Sequence, residues 1–150
     1  MIEATGTLMF REAGEAAEAV AAQQAANRTA QATIAGLLRS QPPRLVVACA
    51  RGSSDHAATF AKYLIETRLG LPTASAAPSI ASLYLAPALA GGSLWLAISQ
   101  SGRSPDLIAS LEAAKAGGGR IVALVNAPDS PLASVAVHEL RRHAGPGRSV

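Results

Sequence analysis

Ser99-Gln100-Ser101-Gly102-Arg103-Ser104-Pro105-Asp106 sets three hydroxyls, a side-chain amide and a glycine between an apolar run, Leu94 to Ile98, and an amphipathic segment. That composition at a strand-to-helix junction is suited to holding an anion. The first backbone N–H groups of a helix have no intrahelical partner, and the helix dipole adds partial positive charge at the same place. Ser104 reads as the N-cap and Pro105 as the first helical residue. A second loop repeats the pattern: Leu45 to Ala50 runs into Arg51-Gly52-Ser53-Ser54-Asp55-His56 and then a helical segment. Serine and glycine are common connectors, so one such loop says little. Two of them leaving strands of one parallel sheet predict convergence on a single phosphate, beyond the carboxyl ends of the strands where strand order reverses.

The elements that must position these loops follow from periodicity and punctuation. Phe10 to about Ser40 is rich in Ala, Gln and Glu without proline and reads as helical, divided near Asn27 and Thr29 and closed by Gln41-Pro42-Pro43. Strands are expected at Leu45–Ala50, Thr73–Ala76, Ser93–Ser99, Ile121–Val125 and near Val135–Leu140. Helices are expected from about Ser54 to Leu69, with Ala57, Phe60, Ala61, Leu64 and Ile65 on one face, and from Pro105 to Ala116, with Leu107, Ile108 and Leu111 inward. A short helix capped by Ser79 is expected over Ser79–Leu85. Alternating strands and helices with continuously apolar strands predict a parallel sheet with helices on both faces, a three-layer α/β/α fold of one domain.

Composition excludes several classes. Of 150 residues, 49% are hydrophobic and 15% charged, which argues against disorder. The net charge of +3 comes with 3% aromatics, too few to stack bases, so no nucleic-acid partner is expected; small acidic ligands suit the charge better. Leu69 to Gly102 carries no charged residue, but Pro72, Pro78, Pro87 and Gly91-Gly92 break it into pieces too short to span a bilayer. No secretory signal is evident, so the cytoplasm is the expected location. Cys49, the single cysteine, falls in a strand and reads as a small core hydrophobe.

Other chemistries fail on their residues. No G-x-G-x-x-G follows the first strand, and no acid ends the second, so dinucleotide binding is excluded. Neither an ATP-binding G-K-[ST] nor a hydrolase G-x-S-x-G is present. His138 and His143 lack a second ligand pair, and no metal or cofactor is expected. His56, in a first helical turn, and Arg103 are additional candidates for ligand contact; Arg51 and Arg103 otherwise serve as surface charges.

Ala50-Arg51-Gly52-Ser53-Ser54-Asp55-His56, Lys62-Tyr63-Leu64-Ile65-Glu66, Ser99-Gln100-Ser101-Gly102 and His143-Ala144-Gly145-Pro146-Gly147-Arg148-Ser149-Val150 together resemble the sugar isomerase (SIS) domain family. The resemblance is to the branch containing the isomerase halves of glucosamine-6-phosphate synthases and the related sugar-phosphate deaminases. It implies a flavodoxin-like sheet, with residues 1–42 as a helical segment packed on an SIS domain over 43–150. It also implies that Ser54, Ser99, Gln100, Ser101 and Ser104 bind a sugar phosphate, with Gly52, Ser53 and Val150 near the sugar. Family members carry two such domains in tandem and draw their acid–base residues from the second and from a C-terminal tail. Arg103 and Ser104 stand where the synthases usually have an acid and a threonine.

Aldose–ketose isomerisation needs a base to move a proton between adjacent carbons. No carboxylate is an evident choice: Glu66 belongs to the helix after the first loop, and Asp106 suits a helix N-terminus. The chain is therefore expected to be the first half of a phosphosugar isomerase, deaminase or aminotransferase, ending short of its catalytic partner and silent alone. The competing expectation is a sugar-phosphate sensor, although residues 1–40 are too short and alanine-rich for the usual DNA-binding domain. Either reading predicts a homodimer, since the helical N-terminus and an incompletely covered edge strand leave apolar surface.

Overall fold

A computed structural model describes residues 4–127 and 129–145. Five strands, β1 (Leu45–Ala50), β2 (Thr73–Ser75), β3 (Ser93–Ser99), β4 (Arg120–Val125) and β5 (His138–Arg141), form one sheet in the order β2-β1-β3-β4-β5. Every pair is parallel. The chain leaves β1 for β2 on one side and returns to β3 on the other, so the reversal of strand order lies between β1 and β3. Among the described residues a short 3-10 turn (Ala4–Gly6) and three α-helices precede the sheet: α1 (Leu8–Gly14), α2 (Ala16–Ala26) and α3 (Arg28–Ser40). Those between the strands are α4 (Ser53–Leu69), α5 (Ser79–Ser82), α6 (Pro105–Ala116) and α7 (Pro131–Val135).

Alternation along the strands divides the core into two layers. Cys49, Ala97, Ile121, Ala123 and Val125 face Leu107, Leu111 and Ala114 of α6 and Leu132 and Val135 of α7. The opposite face presents Val46, Leu94 and Val122 to Ile34 and Leu38 of α3 and Ile65 of α4. It also presents Ala48, Ala50 and Ile98 to Ala58 of α4. The expected α/β/α sandwich is therefore what the chain adopts. Asn27, buried at the α2–α3 break, bonds the backbone of Arg141 on the edge strand twice, donating to its C=O at 2.6 Å and accepting from its N–H at 3.0 Å.

The structure revises several local expectations. The apolar stripe of α4 is turned: Phe60 is 65% and Leu64 43% exposed, Ala57 is also exposed, and Ala58 is the buried residue. Alanine suffices there because the helix lies close over Ala48 and Ala50. Helix α4 begins at Ser53, one residue earlier than expected. Helix α5 ends at Ser82, and Pro78 rather than Ser79 holds its N-cap position. The fifth strand starts only at His138, because Val135, where it was expected to begin, is the last residue of α7. Ser130 caps α7 by accepting from the N–H of Ala133 at 3.4 Å, with Pro131 following, the same Ser-Pro start that marks α6. A further helix break falls at Glu15.

Candidate functional site

Because β1 and β3 are neighbours, with Ala50 opposite Ile98, their exit loops leave the sheet side by side at the reversal point. The two loops touch: the guanidinium of Arg51 in the first is paired with the carboxylate of Asp106 in the first turn of α6. Arg51 is thus engaged between the loops, while Arg103 is exposed.

Both loops turn on a glycine with left-handed φ. Gly52 (φ 58°, ψ −137°) occupies the N-cap position of α4, so Ser53, Ser54, Asp55 and His56 form the helix's first turn; Ser54 is half-buried and His56 exposed. Gly102 (φ 61°) is buried, and a Cβ there would fall 2.5 Å from Ser130 Cβ. Ser99 is buried, and its hydroxyl oxygen accepts from the N–H of Gly102 at 3.0 Å, which curls the loop back on the strand end. Ser101 Oγ accepts from the N–H of Arg103 at 3.3 Å. Ser104 is the N-cap of α6 with extended backbone, and its side chain makes no capping bond. A hydroxyl that accepts from a backbone N–H still has its own proton to donate.

Beside these loops lies a cleft of about 540 Å³. Ser53 and Gln100 line it, as do Asn126 at the exit of β4 and Arg142 and His143 just past β5. Glu12 of α1 and Glu15 at the start of α2 form the facing side. Ser53 and Gln100 are among the residues that the family resemblance implied. Nothing local pointed to Asn126 or Arg142, which reach the cleft only because β4 and β5 follow β3 in the sheet. Two other carboxylates are engaged elsewhere: Glu66 accepts from the N–H of Thr73 at 3.1 Å, and Asp106 holds Arg51. No group of three metal-ligating side chains occurs among the described residues. Val150, implied to lie near the sugar, is outside the described residues.

Cys49 lies below the first loop, fully buried, and its thiol is pushed up to about 12, first by burial and then by the negative charge of Asp106 and Asp55. It is a neutral packing group, inert as a nucleophile. No helix of the described residues is long and apolar enough to cross a membrane.

The SIS domain family matches residues 37–149. A glutamine–fructose-6-phosphate aminotransferase (isomerizing) of Zymomonas mobilis is 42% identical over 101 residues, which are 67% of this chain and 16% of that protein. Among solved structures, a Silicibacter pomeroyi protein described as a candidate phosphosugar isomerase superposes with a TM-score of 0.84 at 46% identity, covering 91% of this chain and 42% of its own. The Vibrio vulnificus NanR protein, solved with ManNAc-6P, shares the fold at 21% identity and a TM-score of 0.71, covering 91% of this chain and 51% of its own. The chain thus spans about a sixth of the length of the curated relatives it matches.

Proposed function

Since the chain belongs to the SIS domain family, we propose that it binds a hexose or hexosamine 6-phosphate and is the first, phosphate-binding half of a phosphosugar isomerase, deaminase or aminotransferase. One observation carries the reading: two hydroxyl-bearing loops, each opening a helix, leave adjacent strands β1 and β3 at the reversal of strand order and are joined by Arg51 and Asp106. Ser54, Ser99, Gln100, Ser101 and Ser104 supply the donors for phosphate oxygens at the starts of α4 and α6. Hydrogen bonds to a charged partner are worth roughly 1.5–3 kcal/mol each. In this reading Gly52 and Ser53 lie on the sugar side of the phosphate, and His56 and Arg103 add polar contacts at the rim.

Glu66 and Asp106 are committed to structural bonds, which supports a chain that binds without turnover and takes its proton-moving base from the second half, although Glu12, Glu15 and His143 also line the cleft. The protein works as a cytoplasmic homodimer without metal, cofactor or nucleic acid. Support for the dimer is the exposed Phe60, Tyr63 and Leu64 along α4.

A thermal-shift titration with fructose 6-phosphate, glucosamine 6-phosphate, free fructose and inorganic phosphate tests the reading. A ligand at a hundredfold excess over its dissociation constant stabilises the native state by about 2.7 kcal/mol. Both sugar phosphates are expected to raise the melting temperature, free fructose is not, and Ser101→Ala abolishes the effect. Turnover of either sugar phosphate by the chain alone refutes the silence; a sugar-phosphate response with no turnover even beside a complementing isomerase half favours a sensor.

A further inference from the structure

Resting on the phosphosugar reading of the cleft, we propose that Asn126 is a positioning residue: it clamps the 142–145 segment at a set distance from the serine loops and so determines how well the site distinguishes a sugar phosphate from bare phosphate.

The N–H of Arg142 bonds the C=O of Val125 at 2.9 Å, and the β4–β5 pairing goes no further. Beyond it the chain turns sharply, with His143 at φ 54° and Gly145 at φ 67°. Left-handed backbone at a histidine is disfavoured and persists where surrounding bonds hold it. Here Asn126 provides them with both ends of one amide: Oδ1 accepts from the N–H of Ala144 at 2.9 Å, and Nδ2 donates to the C=O of Gly145 at 2.5 Å. The next residue ties the other wall, since the N–H of Ala127 bonds the C=O of Gln100 at 3.1 Å. A single dipeptide at the end of β4 thus grips the Ser99–Gln100 loop with its backbone and the 142–145 segment with its side chain. Arg142 and His143 stand on that second wall. The serine loops hold their hydroxyls without help from Asn126, so phosphate capture and recognition of the remainder of the ligand depend on different bonds.

Alanine at 126 removes both bonds. Aspartate keeps an acceptor for Ala144 but has no donor for Gly145. Isothermal titration of the full chain with glucosamine 6-phosphate, fructose 6-phosphate and inorganic phosphate reads the consequence. Asn126→Ala is expected to weaken both sugar phosphates on the order of tenfold, in line with two neutral hydrogen bonds lost, and to leave inorganic phosphate unchanged. Asn126→Asp falls between, and carries the comparison should the alanine variant not fold. In the unliganded protein, the Ala144 amide exchanges faster with solvent in Asn126→Ala and stays protected in Asn126→Asp, which keeps the acceptor. Equal losses for all three ligands, or none, overturn the proposal while leaving the site reading intact, as does unchanged exchange at Ala144 in Asn126→Ala. A wild-type chain that binds neither sugar phosphate nor phosphate overturns the site reading and this proposal with it.

Discussion

Gly102 shows how closely the serine loop is built. It takes a left-handed φ, its N–H is held by the Ser99 hydroxyl, and the space a Cβ would need is filled by the side chain of Ser130. Gly102→Ala therefore combines backbone strain with a clash inside a buried turn, at an expected cost of about 1–3 kcal/mol. Urea unfolding measures the cost, and titration with a sugar phosphate is expected to show binding lost along with the loop. A variant with wild-type stability and affinity would contradict the packing described. Gly102 and the serines were legible because their types announce a turn and a set of donors. Asn126 was not, since an asparagine after a strand is an ordinary turn residue, and its partners at 144 and 145 lie past another helix and strand.

At the level of elements, the N-terminal helices are held by more than apolar contact. Asn27 bonds the N–H and C=O of Arg141 as a neighbouring strand would, and so covers part of the sheet's open edge. Asn27→Ala removes two part-buried hydrogen bonds, with an expected loss of about 1–3 kcal/mol in chemical denaturation. Unchanged stability would mean that water replaces the amide there. Strands β1 and β3 and helix α6 could be placed by residue because apolar runs end at Gly or Ser-Pro signals. The orientation of α4 could not, because Ala57, Phe60, Ala61, Leu64 and Ile65 form a plausible inward stripe. The close approach over Ala48 and Ala50 instead selects the side carrying Ala58 and leaves Phe60 and Leu64 outside.

For the molecule as a whole, the buried thiol makes stability depend on alkaline pH. Folded Cys49 titrates near 12, whereas an unfolded thiol titrates near 9.0. Below the unfolded value both states are protonated and the contribution is complete. As pH rises between the two values the unfolded state loses its proton first, so stability falls, by about 1.4 kcal/mol per pH unit at most. The difference in unfolding free energy between wild type and Cys49→Ala is expected to shrink across that range. Parallel profiles would show that the thiol ionises in the folded protein.

Local residue chemistry by itself determined the strand-to-helix units, the two serine loops and the buried character of the three central strands, because apolar runs, caps and glycines act over a few residues. Only the tertiary structure decided which strands are neighbours, and with that the meeting of Arg51 with Asp106 and of Asn126 with residues 144 and 145. Those contacts depend on the order in which parallel strands pack, a choice made by burying both faces of the sheet at once. No short stretch of sequence contains that information.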